Sequence, residues 1–450
     1  MIYLDCAATS LQKPDTVGEA MLQGLQCGNA GRGAHEASLS AGRIVYETRE
    51  KIAKLFGVGD PMRVCMMFNT TDALNAAICG LIRAGDHVVT TAQEHNSVLR
   101  PLYRAQAEGA ELTIVPAQKD GKISEDAVLA AIRPDTRAVV CAHASNVTGN
   151  SLNIAKIGHY CKKNGALLIV DAAQSAGTLP INMQKMEISV LCMPGHKGLF
   201  APQGTGVLCV SEDTAIEPFR VGGSGIHSFS KTHPAEFPTI LEAGTLNTSG
   251  IAGLSAGLDY IQQIGIQTIH AHEMQLANAF YQEVSQMPNI TVYGDWTQKD
   301  RAAIVTLNMK GKTASQVSDY LMQNAQIAVR AGAHCAPLLH EALGTRQDGA
   351  VRFSFGWFNT MDEVQTAVQA IRSLTVQDGK RLIITFKSTA MALKMEKICR
   401  AEGAEGRLIP VPREITAGCG LSWMAQPEQK DSLRHIMQMH DIIPQAEHLI

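Results

Sequence analysis

The two stretches that decide the fold are Leu167–Asp171 (LLIVD) and Pro194–Gly198 (PGHKG). The first is an apolar run that ends in a carboxylate, and the second follows another apolar run, Ser189–Met193. Short apolar runs of this kind are typical of buried strands in a parallel sheet. Because parallel strands share one carboxyl edge, we expect Asp171 and Lys197 to lie close together there.

Further apolar runs alternate with segments of helical periodicity on both sides of these stretches. This alternation predicts an α/β fold, with a mostly parallel sheet covered by helices on both faces. Ligands bind beyond the carboxyl ends of the strands in such sheets. The other predicted strands are Val64–Phe68, His87–Thr91, Leu112–Val115, Arg137–Ala142 and Gly206–Val210, and the predicted helices between them include Asp72–Ile82, Asn96–Glu108 and Ile154–Asn164.

The composition restricts the class of protein and its partners. The 450 residues are 45% hydrophobic and carry a formal charge of −3, which gives no electrostatic reason to expect nucleic acid or an anionic membrane as a partner. No apolar run approaches the roughly 18 residues of a membrane span, and Met1–Cys6 lacks a signal-peptide pattern. The eleven cysteines include no C-x-x-C pair, which suits reduced thiols. We therefore expect a cytoplasmic protein with no metal site.

The paired Asp171 and Lys197 are the groups that pyridoxal phosphate requires. The lysine amine forms a Schiff base with the cofactor's aldehyde, and the aspartate keeps the pyridine nitrogen protonated. Thr70 and Thr71 precede a predicted helix whose free N–H groups suit a phosphate, and His95 follows a strand and could stack on a flat ring. Each residue alone also fits a structural role as a cap, a solvated charge or a core side chain.

Eight motifs, in order over about residues 2–373, resemble the cysteine desulfurase/selenocysteine lyase family. This family belongs to class V of the fold-type I, aminotransferase-like pyridoxal-phosphate enzymes. The short Arg-x-Gly-x-His-Cys loop resembles that of the sulfur-mobilising group rather than the iron-sulfur housekeeping group. The motifs are Tyr3–Thr9 (YLDCAAT), Thr70–Asn75 (TTDALN), Glu94–Asn96 (EHN), Ser145–Gly149 (SNVTG), Asp171–Gln174 (DAAQ), Gly195–Lys197 (GHK), Glu242–Asn247 (EAGTLN) and Arg330–Cys335 (RAGAHC).

The resemblance implies a role for each site residue. Lys197, Cys335 and His95 would be catalytic, and the substrate's carboxylate would meet Asn146, Arg330 and Arg352. An arginine suits that task because its planar fork binds a carboxylate bidentately. Thr245 would come from a neighbouring subunit, so the active site would depend on a homodimer. The implied cofactor-binding residues are Thr70, Thr71, His95, Asn146, Asp171, Gln174, His196, Lys197 and Thr245.

The implied reaction takes L-cysteine or L-selenocysteine, releases alanine and leaves a persulfide or selenopersulfide on Cys335. A free cysteine has a pKa of about 8.5, so a cationic neighbour is needed to favour the thiolate. We expect His334, Arg330 or the substrate to supply it. Many relatives have a second histidine where Ala333 stands, which leaves His334 as the only imidazole expected beside the cysteine. Two alternatives stay open: a class V transaminase or related pyridoxal-phosphate lyase, and an inactive carrier or scaffold.

The chain is expected to have three domains. Residues 21–264 would form the large cofactor-binding domain, residues 1–20 and 265–375 a smaller α/β domain, and residues 380–450 a small α+β domain. Ile383–Leu393, Ile409–Ile415 and Cys419–Leu421 resemble a selenium/sulfur carrier-like domain. Cys419, between two glycines, would accept the persulfide from Cys335, and the alternative is a buried strand cysteine. A sulfur or selenium acceptor protein or thiol is the remaining expected partner.

Overall fold

The computed structural model describes residues 1–31, 33–374, 381–412, 414–416 and 420–450. Their strands are β1 (Ile2–Tyr3), β2 (Val64–Met67), β3 (His87–Thr91), β4 (Glu111–Val115), β5 (Thr136–Ala142), β6 (Leu167–Asp171), β7 (Val190–Pro194), β8 (Gly206–Val210), β9 (Ile290–Tyr293), β10 (Ile304–Met309), β11 (Ile327–Ala328), β12 (Arg330–Gly332), β13 (Ala350–Ser354), β14 (Leu382–Thr385), β15 (Arg407–Pro410), β16 (Leu421–Ala425) and β17 (Ala446–Leu449). Their α-helices are α1 (Asp15–Gly24), α2 (Glu36–Phe56), α3 (Thr70–Leu81), α4 (Asn96–Ala107), α5 (Glu125–Ala131), α6 (Ile154–Lys163), α7 (Thr248–Ile264), α8 (Ile266–Val284), α9 (Ala314–Ala325), α10 (Pro337–Ala342), α11 (Met361–Arg372), α12 (Thr389–Glu402) and α13 (Lys430–Met439).

The large sheet has seven strands in the order β2-β8-β7-β6-β5-β3-β4, and only β8 runs antiparallel to its neighbours. Alternate residues of its central strands point into two separate cores. Val139 and Val170 lie in one core, and Val140 and Ile169 lie in the other. Helices therefore cover both faces, and the α/β fold predicted from the alternating apolar runs is confirmed.

Side-chain caps set where the helices around the site begin. The predicted helix Asp72–Ile82 starts earlier, at Thr70, because Asn69 adopts an extended conformation and its Oδ1 accepts a hydrogen bond from the N–H of Asp72 at 2.9 Å. This cap leaves the N–H groups of Thr70 and Thr71 at the open end of α3.

The smaller part of the enzyme has a four-stranded antiparallel sheet in the order β12-β13-β10-β9, packed against α8, α9 and α11. Its core includes Phe280, Val305, Leu321 and Phe353. The sequence predicts one strand over Ile327–Arg330, but the structure divides it into β11 and β12. The division has a simple cause: β11 pairs with β1 from the N-terminal segment, and β12 pairs with β13.

The C-terminal region is a four-stranded antiparallel sheet in the order β15-β16-β14-β17 with α12 and α13 packed on it. The helix predicted over Thr389–Glu402 is confirmed at both ends. The edge strand β17 was not predicted, because its sequence AEHL alternates too briefly to give a strand signal. Cys419, predicted as the sulfur acceptor, lies outside the described residues.

A buried carboxylate joins the C-terminal sheet to the enzyme. Asp319 on α9 is 4% exposed, and its Oδ1 lies 2.9 Å from a guanidinium nitrogen of Arg407 at the start of β15. Its Oδ2 lies 3.8 Å from Arg381, the residue before β14. A cleft of about 260 Å³ lies beside this contact.

No helix of the described ranges is long and apolar enough to cross a membrane.

We predict that Asp319→Asn loosens the C-terminal sheet from α9. The amide keeps the shape of the carboxylate but turns an N–H donor toward the two arginines, at a cost of about 1–3 kcal/mol. Hydrogen exchange followed by mass spectrometry is expected to speed up in α9, β14 and β15 but not in the seven-stranded sheet. The matched control is Asp348→Asn, an exposed position of the same part of the enzyme. Equal exchange in both variants would contradict the role given to Asp319.

Candidate active site

A cavity of about 210 Å³ opens at the carboxyl ends of β6 and β7. Most of the residues expected at the site line it, together with several that were not expected. Its polar lining comes from Asn69, Thr70, Thr71, His95, Ser97, Asn146, Asp171, Gln174, His196, Lys197, Arg330, His334 and Arg352.

Asp171 ends β6, and Lys197 follows the end of the adjacent parallel strand β7, as the two opening motifs predict. Asp171 is the last residue of β6, is 4% exposed, and accepts a hydrogen bond from the N–H of Ala173 at 2.9 Å. Burial raises the pKa of its carboxyl above the ordinary value. Burial, and secondly the cation of Arg352, lowers the pKa of Lys197 to about 8. A substantial share of this amine is therefore neutral, and so nucleophilic, near pH 8.

The N-terminus of α3 forms one end of the cavity. Thr71 Oγ1 lies 2.7 Å from Ser97 Oγ, so two hydroxyl groups from two helices meet there. The carboxylate of Asp72, in the first turn of α3, would repel an anion, but Arg220 pairs with it at 2.7 Å. Free N–H groups, hydroxyls and a neutralised first turn together make an anion site of the kind that phosphate uses.

His95 caps α4 and lines the cavity with its ring. Its Nδ1 accepts from the N–H of Ser97 at 3.0 Å, so Nε2 carries the ring hydrogen. Burial, and secondly the Lys197 cation, lowers the pKa of His95 to about 4, so the ring is neutral at physiological pH. Beneath it the buried Glu94 accepts hydrogen bonds from Thr91 Oγ1 and from the N–H of Ala142, which holds the end of β3 against β5.

The N-terminal segment closes one side of the cavity. Thr9 Oγ1 lies 3.0 Å from Nδ1 of His196, and it also donates to the carbonyl of His196 at 3.0 Å. Gln174 donates through its Nε2 to the carbonyl of Ala7 at 3.0 Å. These contacts with the N-terminal segment orient the side chains of His196 and Gln174. The motif YLDCAAT pointed to this segment, but not to the role of Thr9.

Arg352 is buried at the base of the cavity and is paired on two sides. One guanidinium nitrogen lies 2.6 Å from Asp5 Oδ1, and the other donates to the carbonyl of Asn146 at 3.0 Å. Nε of Arg352 and Oδ1 of Asn146 are buried without a hydrogen-bond partner among the described residues. An unsatisfied donor and an unsatisfied acceptor at the same place are what a substrate with both a carboxylate and an amino group can satisfy.

The Cys335 loop is held in an unusual conformation. His334 and Cys335 have φ angles of 51° and 55°, in the left-handed region that costs a non-glycine residue about 1–2 kcal/mol. Asn146 Nδ2 donates to the carbonyl of His334, and the N–H of Asn96, the first residue of α4, donates to the carbonyl of Cys335, both at 2.7 Å. Cys335 is partly exposed and forms no disulfide.

His334 is not the cation expected beside Cys335, and this prediction is wrong. His334 is 4% exposed, and burial, reinforced by the Arg352 cation, lowers the pKa of its ring well below the ordinary value. Nε2 lies 3.1 Å from the carbonyl of Arg330, and Nδ1 lies 3.2 Å from Nε2 of His340. The structure thus adds a second imidazole that the sequence did not predict, and both rings are engaged with protein groups. Arg330, at the start of the same loop, also lines the cavity.

Thr245 does not line the cavity of its own chain. It is exposed, and its Oγ1 accepts a weak hydrogen bond from Asn29 at 3.4 Å. The sequence does not predict the contacts that several residues make in and behind the site. Asp5, Thr9 and Glu94 stand inside quoted motifs, so their position was available but not their partners, whereas His340 and Thr345 gave no local signal.

Comparisons with known proteins agree with this geometry. Residues 2–367 match the family described as Aminotransferase class-V. A "Probable cysteine desulfurase" of Methanothermobacter thermautotrophicus is 33% identical over 381 residues, covering 83% of this chain and 94% of that protein. A cysteine desulfurase of Cronobacter sakazakii is 32% identical over 82% of this chain and 92% of its own length. The apo cysteine desulfurase of Thermococcus onnurineus superposes with a TM-score of 0.76 at 32% identity, covering 82% of this chain and 93% of that one.

The chain belongs to the cysteine desulfurase family.

Membership in this family confirms the fold-type I architecture, the desulfurase class and the dependence on pyridoxal phosphate. It favours the desulfurase over the transaminase and the inactive scaffold. Residues 381–448 match a second family, described as Se/S carrier protein-like, which confirms the resemblance of the C-terminal region.

The residues of this desulfurase fit the cofactor. Asp171 offers a buried carboxylate for the pyridine nitrogen, His95 a neutral ring for stacking, and the N-terminus of α3 an anion site for the phosphate. Lys197 would supply the amine for covalent attachment.

We predict that the apo desulfurase binds pyridoxal phosphate covalently at a rate that rises with pH and levels off above about pH 8, the pKa of Lys197. The neutral amine is the reactive form, so its population falls about tenfold per pH unit well below that value. Brief incubation, borohydride trapping and mass spectrometry measure the labelled lysine. Lys197→Ala should carry no label. A rate that still rises at pH 10 would mean that the lysine has its ordinary pKa.

Proposed function

We propose that this desulfurase removes sulfur or selenium from L-cysteine or L-selenocysteine, releases alanine, and holds the sulfur or selenium on Cys335. The observation that carries the proposal is the hydrogen bond from the N–H of Asn96 to the carbonyl of Cys335, at 2.7 Å. It holds the loop cysteine beside the helix that His95 caps. Cys335 itself does not line the cavity that contains Lys197, but the preceding residue, His334, does.

The substrate carboxylate is proposed to bind Arg352. The buried guanidinium retains Nε–H and further N–H donors beyond those given to Asp5 and Asn146. Asn146 Oδ1, which has no partner among the described residues, faces the same cavity and can accept from the substrate's amino group. Arg330 adds positive charge at the rim. This set orients the amino acid with its side chain free to meet Cys335.

Lys197 is proposed to move the proton on the substrate's Cα. Its pKa of about 8 lets it accept and return a proton near neutral pH. When bound, pyridoxal phosphate stabilises negative charge on the carbon skeleton of the substrate. The thiolate of Cys335 attacks the substrate sulfur, the C–S bond breaks with its electron pair left on carbon, and that carbon takes a proton to give alanine. The persulfide remains on Cys335.

Arg330 and the bound substrate are the proposed sources of positive charge for the Cys335 thiolate. His334 does not supply this positive charge, because both of its ring nitrogens are hydrogen-bonded and its pKa is low. His196 and Gln174, oriented by the N-terminal segment, are proposed to contact the cofactor's phosphate and ring hydroxyl.

A homodimer is proposed to complete the phosphate site with Thr245 of the partner. The exposure of Thr245 and its position outside its own cavity support this assignment. The loop after β8 carries two large apolar residues, Val221 and Phe229, which are 69% and fully exposed. This loop contacts the segment of Thr245, since the N–H of Gly244 donates to the carbonyl of Gly223 at 2.8 Å, and exposed apolar groups beside that segment support an interface. We also propose the domain division given above, and a cytoplasmic location, which agrees with ten cysteines free of disulfides in the described part of the chain.

We predict that Cys335→Ser abolishes persulfide formation from L-cysteine but leaves turnover of 3-chloro-L-alanine within about twofold. Chloride leaves without attack by a thiol, so this substrate tests the cofactor, Lys197 and Arg352 without Cys335. Alanine, sulfide and pyruvate are quantified in parallel. A Cys335→Ser enzyme that forms persulfide at the parental rate would disprove the assignment, and exchange of the amino group with an oxo acid would favour the transaminase.

We propose further that Cys335 passes the sulfur to Cys419 in the C-terminal region. After turnover of ³⁵S-labelled L-cysteine, label is expected on Cys419 only when Cys335 is present. Cys399 is the matched control, since it lies in the core of the same domain and burial raises its pKa to about 11. Label on Cys419 in the Cys335→Ser enzyme, or equal label on Cys399, would rule out the relay. Comparing kcat/KM for cysteine and selenocysteine decides which element the enzyme prefers.

A further inference from the structure

The loop that carries Cys335 depends on a chain of side-chain hydrogen bonds that runs away from the active site. His334 Nδ1 lies 3.2 Å from Nε2 of His340, and Nδ1 of His340 lies 2.7 Å from Oγ1 of Thr345. His340 and Thr345 are 1% and 4% exposed. His340 lies on α10, the helix that begins directly after the loop, and Thr345 follows the turn that ends this helix.

One group that can only accept determines which atom donates in each of these hydrogen bonds. The carbonyl of Arg330 can only accept, so Nε2 of His334 carries its hydrogen. In the neutral ring Nδ1 is then an acceptor, and Nε2–H of His340 must donate to it. Nδ1 of His340 is left to accept from the hydroxyl of Thr345. The three donors therefore point the same way, from Thr345 toward Arg330.

This row of hydrogen bonds fixes the ring of His334, which the backbone contacts of the loop do not hold. Asn146, in the loop after β5, and Asn96, at the start of α4, hold the carbonyl groups of His334 and Cys335. They do not fix the ring of His334, whose backbone is left-handed. A residue kept in such a conformation needs its surroundings to select it. The ring bonded at both nitrogens supplies that selection.

We propose that His340 and Thr345 are positioning residues for Cys335. They hold His334 in a single neutral tautomer and so keep the left-handed turn that sets the thiol at the substrate's sulfur. Neither residue lines the active-site cavity, and both are buried, so their proposed effect on Cys335 passes through the ring of His334. The inference rests on the proposed role of Cys335, and it adds that the geometry of this nucleophile is set by the helix that follows it.

The first test compares Thr345→Val with Thr345→Ser in the holoenzyme. Valine keeps the shape of threonine without the hydroxyl, whereas serine keeps the donor. We expect valine to lower kcat for L-cysteine by about fivefold, the effect of one hydrogen bond, with KM and bound cofactor unchanged, and serine to stay within about twofold of the parent. Turnover of 3-chloro-L-alanine, which needs no thiol, should be the same in both variants.

The second test uses His340→Leu and His340→Gln. Leucine removes the donor to His334 and should lower kcat for L-cysteine by about a hundredfold, as expected when a reacting group is displaced by about 1 Å. Glutamine retains an N–H donor and should recover part of this loss. If turnover of chloroalanine falls in parallel with that of cysteine, the residues serve only general stability, and the proposal is overturned.

A measurement independent of turnover decides the tautomers. With ¹⁵N-labelled histidine, both His334 and His340 should show a protonated Nε2 and an unprotonated Nδ1, and Thr345→Val should shift the Nδ1 signal of His340. A protonated Nδ1 on His334 would refute the proposed direction of these hydrogen bonds. The Cys335→Ser enzyme should give unchanged ring signals, so failure of the proposed function and failure of the positioning role produce different results.

Discussion

The buried guanidinium of Arg352 is the group on which the site depends. It is 1% exposed, and a charge removed from water to this extent must be paired and hydrogen-bonded. Its two partners come from distant parts of the chain: Asp5 from the N-terminal segment, and the carbonyl of Asn146 from the loop after β5. Arg352 itself lies on β13 of the smaller sheet. One side chain thus joins the three parts that surround the cavity.

The same charge sets the protonation of its neighbours. The Arg352 cation is the second cause, after burial, of the low pKa of both Lys197 and His334. In Lys197 the effect is to make a neutral amine available near physiological pH. In His334 it keeps the ring neutral, which the directional bonds to Arg330 and His340 require. A substrate carboxylate that binds Arg352 would partly cancel this field, so binding of the substrate and protonation of Lys197 are coupled.

The sequence predicted those features that have a local signal. The ends of β6 and β7 follow from two apolar runs, one ending at Asp171 and the other followed by the Pro-Gly-His-Lys stretch, and this placed Asp171 and Lys197 together. The site residues that were missed are defined by tertiary contacts. Nothing in the spacing of His340 and Thr345 indicates that they face His334, because that contact depends on how α10 packs after the loop. The expectation that His334 is a cation beside Cys335 was wrong for the same reason. Burial keeps this ring neutral, and burial is a property of the fold that the local sequence does not show.

The geometry of the loop also constrains how sulfur can leave it. The carbonyls of His334 and Cys335 are held by Asn146 and Asn96, and the ring of His334 is held from the other side. A loop held at these backbone and side-chain groups keeps its cysteine in place for attack on a bound substrate and limits how far the loop can carry a persulfide. In the proposed relay, the acceptor must therefore approach Cys335. Asp319 holds the C-terminal sheet on α9, so the free energy of that contact sets how readily its own subunit's Cys419 competes with the partner's or with an external thiol.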